Sequence, residues 1–161
     1  MTLADLIAEV YTITGRSDRV AETLSAVKSA TLKAHQSDYY YKDIFETGLD
    51  FGYIAYIQSL DYRAIIPRWR ALKYIRKYDP DTSTPGKFLE VIVPENVLDL
   101  YAVQKVDICY VAGAYVQVKA STEQRYYLLG CYLNPDITEA GFNSWVALEI
   151  GRASCRERVS S

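Results

Sequence analysis

The chain has 161 residues, half of them hydrophobic and 24% charged, so it is long enough to bury one sizeable core. Its 18 basic and 20 acidic residues give a formal net charge of −2, which argues against general DNA binding. No apolar run approaches the roughly 20 residues of a membrane span, and the N-terminus lacks the basic-then-apolar order of a signal peptide. The composition predicts a soluble, globular, cytosolic protein without membrane contact.

Two helices are predicted within residues 1–37, because apolar residues recur there at helical spacing. Thr2 and Asp5 form a capping-box pair before the first helix, and Gly15 is expected to end it. Ser17 is expected to cap the second helix, with Asp18 in its first turn, where the helix dipole favours a negative charge. Together they predict a short helical hairpin that has too little apolar surface to be stable alone.

Residues 38–149 are predicted to form a β-rich module. Fourteen of the 15 tyrosines lie between Tyr39 and Tyr132, and tyrosine favours half-buried sheet surfaces. Strands are expected at residues 43–50, 53–57, 72–78, 88–93, 108–111, 115–119 and 126–133, and one helical turn at 94–101. The strands at 108–111 and 115–119 are expected to form a hairpin closed around Gly113, and in the second of them alternate residues are expected to face the core and the solvent. The predicted fold class is α+β: an N-terminal helical hairpin, then a mostly antiparallel, Tyr-rich β module, with a C-terminal helical part missing.

The last twelve residues, 150–161, are predicted to be non-native. They are basic and lack apolar periodicity, and residues 150–159 match one reading frame of the reverse complement of a common sequencing adapter. The alternative is a natural basic tail. Without this segment the formal charge is −4, from 15 basic and 19 acidic residues. The remaining cysteines, Cys109 and Cys131, lack CxxC spacing and are predicted to be buried thiols in a reducing compartment.

No catalytic, metal or cofactor site is predicted, and the chain is expected not to be an enzyme. The single histidine, His35, lies near the end of the second helix, where a ring donor can cap free carbonyls. Zinc-ligand spacing and phosphate-binding glycine motifs are absent. Asp79 and Asp81 lie in a proline-containing turn and are interpreted as turn formers. A small enzyme with its catalytic residues in a lost C-terminus is the alternative.

The segment 68–78, which we call the basic run, is the main candidate interaction surface. It carries five positive charges, three aromatic residues and no acid. Such interleaving can hold single-stranded nucleic acid, form a protein interface, or lie on a solvated strand face near Glu90, Glu95 and Asp99. Three consecutive tyrosines after the hairpin add aromatic surface of the kind found at interfaces, and in an extended chain they cannot all point inward. The candidate residues are Arg68, Trp69, Arg70, Lys73, Tyr74, Arg76 and Lys77, together with Tyr39, Tyr40 and Tyr41.

Short stretches at residues 30–35, 66–70, 88–92, 132–135 and 144–147 follow one another in a characteristic order. In this order the chain resembles the small head-to-tail adaptor proteins of tailed bacteriophages, also called head-completion or tail tubular proteins. The resemblance implies a structural virion protein, assembled in the bacterial host cytoplasm. Its copies would form a ring beneath the capsid portal and contact portal and tail proteins. The basic run would then lie at a subunit contact or near the packaged DNA, with no catalytic residue or cofactor.

A chain that carries a native continuation in place of residues 150–161 is expected to be the more stable one. The predicted hairpin has an apolar stripe that a further helix would cover. Thermal melts of the two chains should differ by several degrees, because about 1 kcal/mol moves the melting temperature of a domain of this size by about 2–4 °C. Equal melting temperatures would mean that the hairpin already has its core.

Overall fold

The chain divides into two compact units, one made of residues 1–43 and 134–161 and the other of residues 44–133. The computed structural model describes residues 2–51, 57–97, 105–120, 125–138, 140–142 and 144–145. The predicted α+β class, a helical hairpin followed by mostly antiparallel strands, is confirmed. Within the described residues, no helix is long and apolar enough to cross a membrane. The predicted tail, 150–161, lies outside them, as does most of the predicted strand at 53–57.

The helical hairpin consists of α1 (Leu3–Thr14) and α2 (Val20–Gln36). The predicted capping box is confirmed: the Thr2 amide donates to the Asp5 carboxylate at 2.8 Å, and the Asp5 amide donates to Thr2 Oγ1 at 3.2 Å. Gly15 ends α1 at a φ of 65°, in the left-handed region that suits glycine. Local sequence signals therefore determine both ends of α1.

The predicted cap of α2 is wrong. Arg19, not Ser17, occupies the N-cap position, and no side chain caps this helix. The Asp18 carboxylate, expected in the first helical turn, instead accepts a hydrogen bond from the Arg16 guanidinium at 2.9 Å. This pair forms within the loop, and the helix begins two residues later than the sequence pattern predicts.

The hairpin keeps an exposed apolar face. Leu3 is the one buried residue of α1, Thr31 and His35 are those of α2, and Ile13 and Val20 are exposed. A groove of about 430 Å³ lies between the helices. It is lined by Val10, Thr14, Arg16, Arg19, Glu22, Thr23, Ala26, Val27 and Ala30. The two helices alone thus bury little apolar surface, which is the condition under which a short hairpin is marginally stable.

The second unit contains two four-stranded sheets. The strands are β1 (Ile44–Asp50), β2 (Ile57–Asp61), β3 (Trp69–Asp79), β4 (Thr84–Phe88), β5 (Glu90–Val91), β6 (Ile108–Ala112), β7 (Tyr115–Lys119) and β8 (Tyr126–Leu133). The first sheet has the order β1-β8-β3-β4 and the second has β2-β7-β6-β5. Only the β5–β6 pair is parallel among the described strands. Short helices α3 (Tyr62–Ile65) and α4 (Pro94–Val97) join strands.

Alternating side chains from both sheets build one core. On β7, Val116 and Val118 are fully buried, while the intervening residues face away from the core, as predicted. On β8, Tyr127 and Leu129 are buried in the same cluster. The hairpin between β6 and β7 closes at Gly113, whose φ is 59°. The period-two pattern of the sequence therefore identifies the inner face of each strand.

The predicted strand at 88–93 is wrong, because the chain changes sheets within it. Phe88 is the last residue of β4 in the first sheet. The Leu89 amide still donates to Ile75 in that sheet, at 2.8 Å, whereas the Glu90 amide donates to Asp107 beside the second, at 2.9 Å. Leu89 is buried at the crossing point. This segment, which is apolar except for Glu90, carries no sign of such a crossing.

Cys109 and Cys131 are free thiols, fully buried in the core. Burial disfavours the charged thiolate, and it raises the pKa of Cys109 to about 12 and that of Cys131 to about 11. Both thiols are therefore unreactive at neutral pH, because the thiolate is the nucleophile. The prediction that they act as small apolar core residues is confirmed.

A glycine organises the outer face of the first sheet. Gly130 on β8 lies between Glu46 on β1 and Tyr74 on β3. The Tyr74 ring covers Gly130 so closely that a Cβ there would lie 2.5 Å from a ring carbon. The Tyr74 hydroxyl donates to the Glu46 carboxylate, and this bond raises the pKa of Tyr74. Arg76 donates to the same carboxylate at 3.1 Å.

Gly130→Ala is expected to destabilise the protein by about 1–3 kcal/mol, because the new methyl group would displace the Tyr74 ring. Gly48→Ala is the matched control on β1, where a Cβ meets nothing within 4 Å. It is expected to be neutral or slightly stabilising, since glycine weakens a strand by roughly 0.5–1 kcal/mol relative to alanine. Urea unfolding of both variants gives the comparison, and equal midpoints would contradict the role of Gly130.

Candidate functional site

A buried row of hydrogen bonds in the helical unit joins residues that are far apart in the sequence. His35 lies near the end of α2, Asp43 ends a 3₁₀ turn (Tyr41–Asp43), and Ser144 follows β8 by eleven residues. His35 Nδ1 lies 2.9 Å from Asp43 Oδ1, and His35 Nε2 lies 3.1 Å from Ser144 Oγ. Trp145 Nε1 donates to the same Asp43 oxygen at 2.7 Å. We call these four residues the His35 network.

The bonding partners determine where the protons lie. An ionised Asp43 can only accept, so Nδ1 of His35 carries a hydrogen and donates it. A neutral ring then accepts the Ser144 hydroxyl hydrogen at Nε2, whereas a charged ring donates to Ser144 Oγ. Either form satisfies both ring nitrogens. The second Asp43 oxygen, Oδ2, is buried without a hydrogen-bond partner, so the carboxylate depends on the donors that meet Oδ1.

An aromatic layer surrounds the His35 network. The Trp145 ring meets the His35 ring edge-on at 5.2 Å and the Tyr40 ring at 4.8 Å. The Lys42 ammonium lies 5.0 Å from the centroid of the Trp145 ring, within the range of a cation–π contact. Trp145 therefore anchors the network twice, through its ring and through its N–H.

The segment after β8 is positioned by its own turn. The Asp136 carboxylate accepts from the Thr138 amide at 2.9 Å and from its hydroxyl at 2.7 Å. The Thr138 hydroxyl accepts from the Gly141 amide at 3.2 Å. A Cβ on Gly141 would collide with the Asp136 carboxylate, so glycine is required there. Gln36 at the end of α2 donates to Asn134 at 3.0 Å, which ties the segment to the helix.

The order serine, histidine, carboxylate is that of a hydrolytic triad, in which histidine activates the serine for attack on a carbonyl. In this chain the His35 network is buried and a substrate could not reach it. Ser144 is 1% exposed, His35 2% and Asp43 8%. A nucleophile must reach its substrate, and a buried pair of this kind is costly to break. The arrangement therefore suits a structural contact that holds Ser144 and Trp145 against the end of α2.

The sequence contains little that could predict this network. Both His35 ring nitrogens bind side chains. The position of His35 near the end of the helix instead suggests that it would bind backbone carbonyls. Ser144 lies 109 positions from His35, and no periodicity relates residues at that separation. The one usable signal is that the chain has a single histidine and that it lies on a helix whose end needs partners.

The predicted interaction residues fall into different units. Tyr39, Tyr40 and Tyr41 belong to the helical unit, and the basic run belongs to the β unit. Tyr39 and Tyr41 are exposed, whereas Tyr40 packs on Trp145. The expectation that the three tyrosines do not share one inward face is confirmed.

Part of the positive charge of the basic run is paired within the β unit. The Arg76 guanidinium lies 3.1 Å from the Glu46 carboxylate, and the Lys77 ammonium lies 3.0 Å from that of Asp107. Glu90, expected near the basic run, forms an ion pair with Lys105, which lies outside the run. The expected partner at position 99 lies outside the described residues. These ion pairs reduce the positive electrostatic potential that an anionic ligand would meet at the basic run.

The aromatic residues of the basic run are also engaged. Trp69 packs against the core and stacks on Tyr62, with ring centroids 4.4 Å apart. Tyr74 covers Gly130. Lys73 is exposed, and its ammonium lies 5.6 Å from the Tyr132 ring. Arg68 is exposed and Arg70 is half-buried, and both make contacts of their own.

Across the described residues, no group of three histidine, cysteine, aspartate or glutamate side chains comes close enough to hold a metal ion. No protein-family model matches the chain, and no curated protein matches it significantly. The proposals below therefore depend on the geometry of the chain itself.

His35→Leu is expected to destabilise the protein by about 3–5 kcal/mol, because it removes the principal donor to a buried carboxylate. Ser144→Ala removes one neutral hydrogen bond and should cost about 1 kcal/mol. Asp18→Asn, which breaks an exposed pair with Arg16, is the control and should leave the unfolding midpoint unchanged. Urea unfolding measures all three.

A hydrolytic role for the network would give a different result. A fluorophosphonate probe would then label Ser144 in the folded protein, and Ser144→Ala would abolish the labelling. No labelling, in the folded or the unfolded chain, is the result expected of a buried structural network, because unfolding also separates Ser144 from the histidine that could activate it.

Proposed function

We propose that this chain is a structural component of a tailed-bacteriophage virion. Copies of it form a ring that joins the capsid portal to the tail, assembled in the bacterial host cytoplasm. In this role the chain contacts itself, the portal and the tail proteins. It requires no cofactor and catalyses no reaction.

The observation that carries the proposal is the insertion of the β unit into the helical unit. Residues 44–133 interrupt a unit that is made from both ends of the chain. The resemblance to phage adaptors implies this arrangement: a helical hairpin, an inserted Tyr-rich β module, and a return to a C-terminal segment at residues 144–147. The His35 network supports it further, because Asp43 precedes the insertion, Ser144 follows it, and both bind the same histidine.

Aromatic exposure favours protein partners over nucleic acid. Tyr39 and Tyr41 are large exposed apolar residues in the helical unit, and such residues are enriched where proteins meet. Nucleic-acid binding is the weaker candidate, because Arg76 and Lys77 have carboxylate partners and Trp69 is stacked within the β unit. The net charge is also negative.

Mixing the purified chain with the portal protein encoded by the same phage should produce rings, visible by negative-stain electron microscopy and as a fast-sedimenting species. Tyr41→Ala should weaken this association at least severalfold, because it removes exposed aromatic surface. Tyr115→Ala, a matched exposed tyrosine on β7, is the control and should not.

Two outcomes would contradict the proposal. The first is a chain that stays monomeric and never binds the portal. The second is a salt-dependent gel shift with single-stranded DNA that disappears in the Arg68→Ala, Arg70→Ala double variant, which would favour the nucleic-acid alternative.

A further inference from the structure

The first sheet has two outer strands, β1 and β4, that face no further strand among the described residues. We propose that β1 of one copy pairs with β4 of the next copy, with the neighbour's Phe88 ring seated over Gly48. This inference rests on the proposed function, because it specifies one contact between neighbouring copies in the ring.

β1 is an open edge without the usual protection. All seven of its residues pair with β8 in unbroken register. It contains no proline, lysine or bulge, three features by which natural sheets prevent unwanted edge pairing, and its two charged residues, Glu46 and Asp50, are paired with Arg76 and Arg125 of the same unit. In contrast, the β5 edge of the second sheet is only two residues long. β2, the other edge of that sheet, has five residues and β4 also has five, so β1 is the longest of the outer strands described in the β unit.

The strand directions fit a repeating contact. Every adjacent pair in the first sheet is antiparallel, so β4 runs opposite to β1. A second copy placed beside the first would therefore continue the antiparallel pattern. The contact joins two different surfaces, and contacts of this kind repeat from copy to copy and form a ring when the rotation between copies closes. A symmetric β1–β1 pair would instead stop at two copies.

The outer face of the first sheet already contains one contact between an aromatic ring and a glycine on the neighbouring strand. Gly130 is covered by the Tyr74 ring from the neighbouring strand. Gly48 lies on the same face of β1, two residues beyond Glu46, the register partner of Gly130. It is exposed, and no heavy atom of a non-adjacent residue in the described part of the chain lies within 4 Å of where its Cβ would be. An aromatic ring from a neighbouring strand would cover Gly48 as Tyr74 covers Gly130.

Phe88 is the aromatic residue that can supply this ring. It pairs with Arg76 on β3, which places it on the outer face at the opposite edge. Its side chain is 55% exposed, although it meets the Tyr74 ring edge-on at 5.3 Å. An exposed ring at one edge and an uncovered glycine at the other edge are complementary surfaces of a single chain.

The proposed β1–β4 contact involves few residues, which suits copies that assemble on the portal. Pro85 has no N–H to donate, and the register of β4 shifts between Arg76 and Tyr78. Pairing is therefore restricted to the end of β4 near Phe88. A single contact of this length binds weakly, whereas many contacts that close a ring on the portal reinforce one another. Free copies are thus expected to remain largely apart until the portal is present.

Disulfide cross-linking tests the contact directly. Facing residues on antiparallel strands lie about 4.5–5.5 Å apart, within the range that a disulfide spans. A Gly48→Cys, Phe88→Cys double variant, assembled with the portal and mildly oxidised, is expected to give a ladder of multimers on a non-reducing gel. Cys109 and Cys131 are buried and do not compete, and Cys155→Ser removes the remaining thiol.

Control variants separate this contact from others. Gly48→Cys alone should stay monomeric, and a strong dimer from it would overturn the proposal in favour of β1–β1 pairing. Gly48→Cys with Thr82→Cys, an exposed position in the turn before β4, should not form a ladder. An equal ladder there would mean random collision and would also overturn the proposal.

A substitution at Gly48 provides a second readout that does not depend on cysteine. Gly48→Lys should leave the melting temperature unchanged, because the site is open in a single copy, but should reduce ring formation at least tenfold. Rings that form from the unmodified chain without cross-linking, and that tolerate Gly48→Lys, would overturn this contact and leave the proposed function intact. Absence of rings from the unmodified chain would overturn both.

Discussion

The buried Asp43 carboxylate is the interaction on which the helical unit depends. A carboxylate removed from water is costly unless donors meet it, and His35 and Trp145 supply those donors to a single oxygen. Asp43 is the last residue before the β unit, and Trp145 lies in the segment that follows it. The requirement to satisfy one charge therefore brings together the two places where the chain leaves and re-enters the helical unit, and a large insertion between them can be accommodated.

Burial decides what this set of side chains can do. Serine, histidine and aspartate at hydrogen-bonding distance activate a nucleophile when the serine faces a substrate. With Ser144 only 1% exposed, the same bonds instead fix side-chain orientations. A partly satisfied buried polar network is unfavourable compared with an apolar core, so each donor matters to stability. Serine, histidine and aspartate at these distances fit both a catalytic and a structural role, and their exposure to solvent distinguishes the two roles.

Sequence patterns predicted features that depend on neighbouring residues. The capping box at Thr2, the turn at Gly113 and the alternation on β7 are all local, and the structure confirms them. The features that the sequence did not predict share a different cause. At Leu89 the chain crosses from one sheet to the other inside a largely apolar segment, and His35 meets Ser144 across 109 positions. Tertiary contacts decide both, and neither hydrophobic period nor composition encodes them.

The basic run illustrates why a charged motif is not itself a binding surface. Successive side chains on β3 point to opposite faces of the sheet, so the strand determines which neighbours each side chain contacts. Arg76 reaches Glu46 two strands away, and Trp69 turns toward the core. The interaction capacity of the β unit then lies less in its charges than in its edges, where the backbone of β1 is open and apolar side chains are uncovered. A protein that assembles with copies of itself can use such edges, because each copy carries both complementary surfaces.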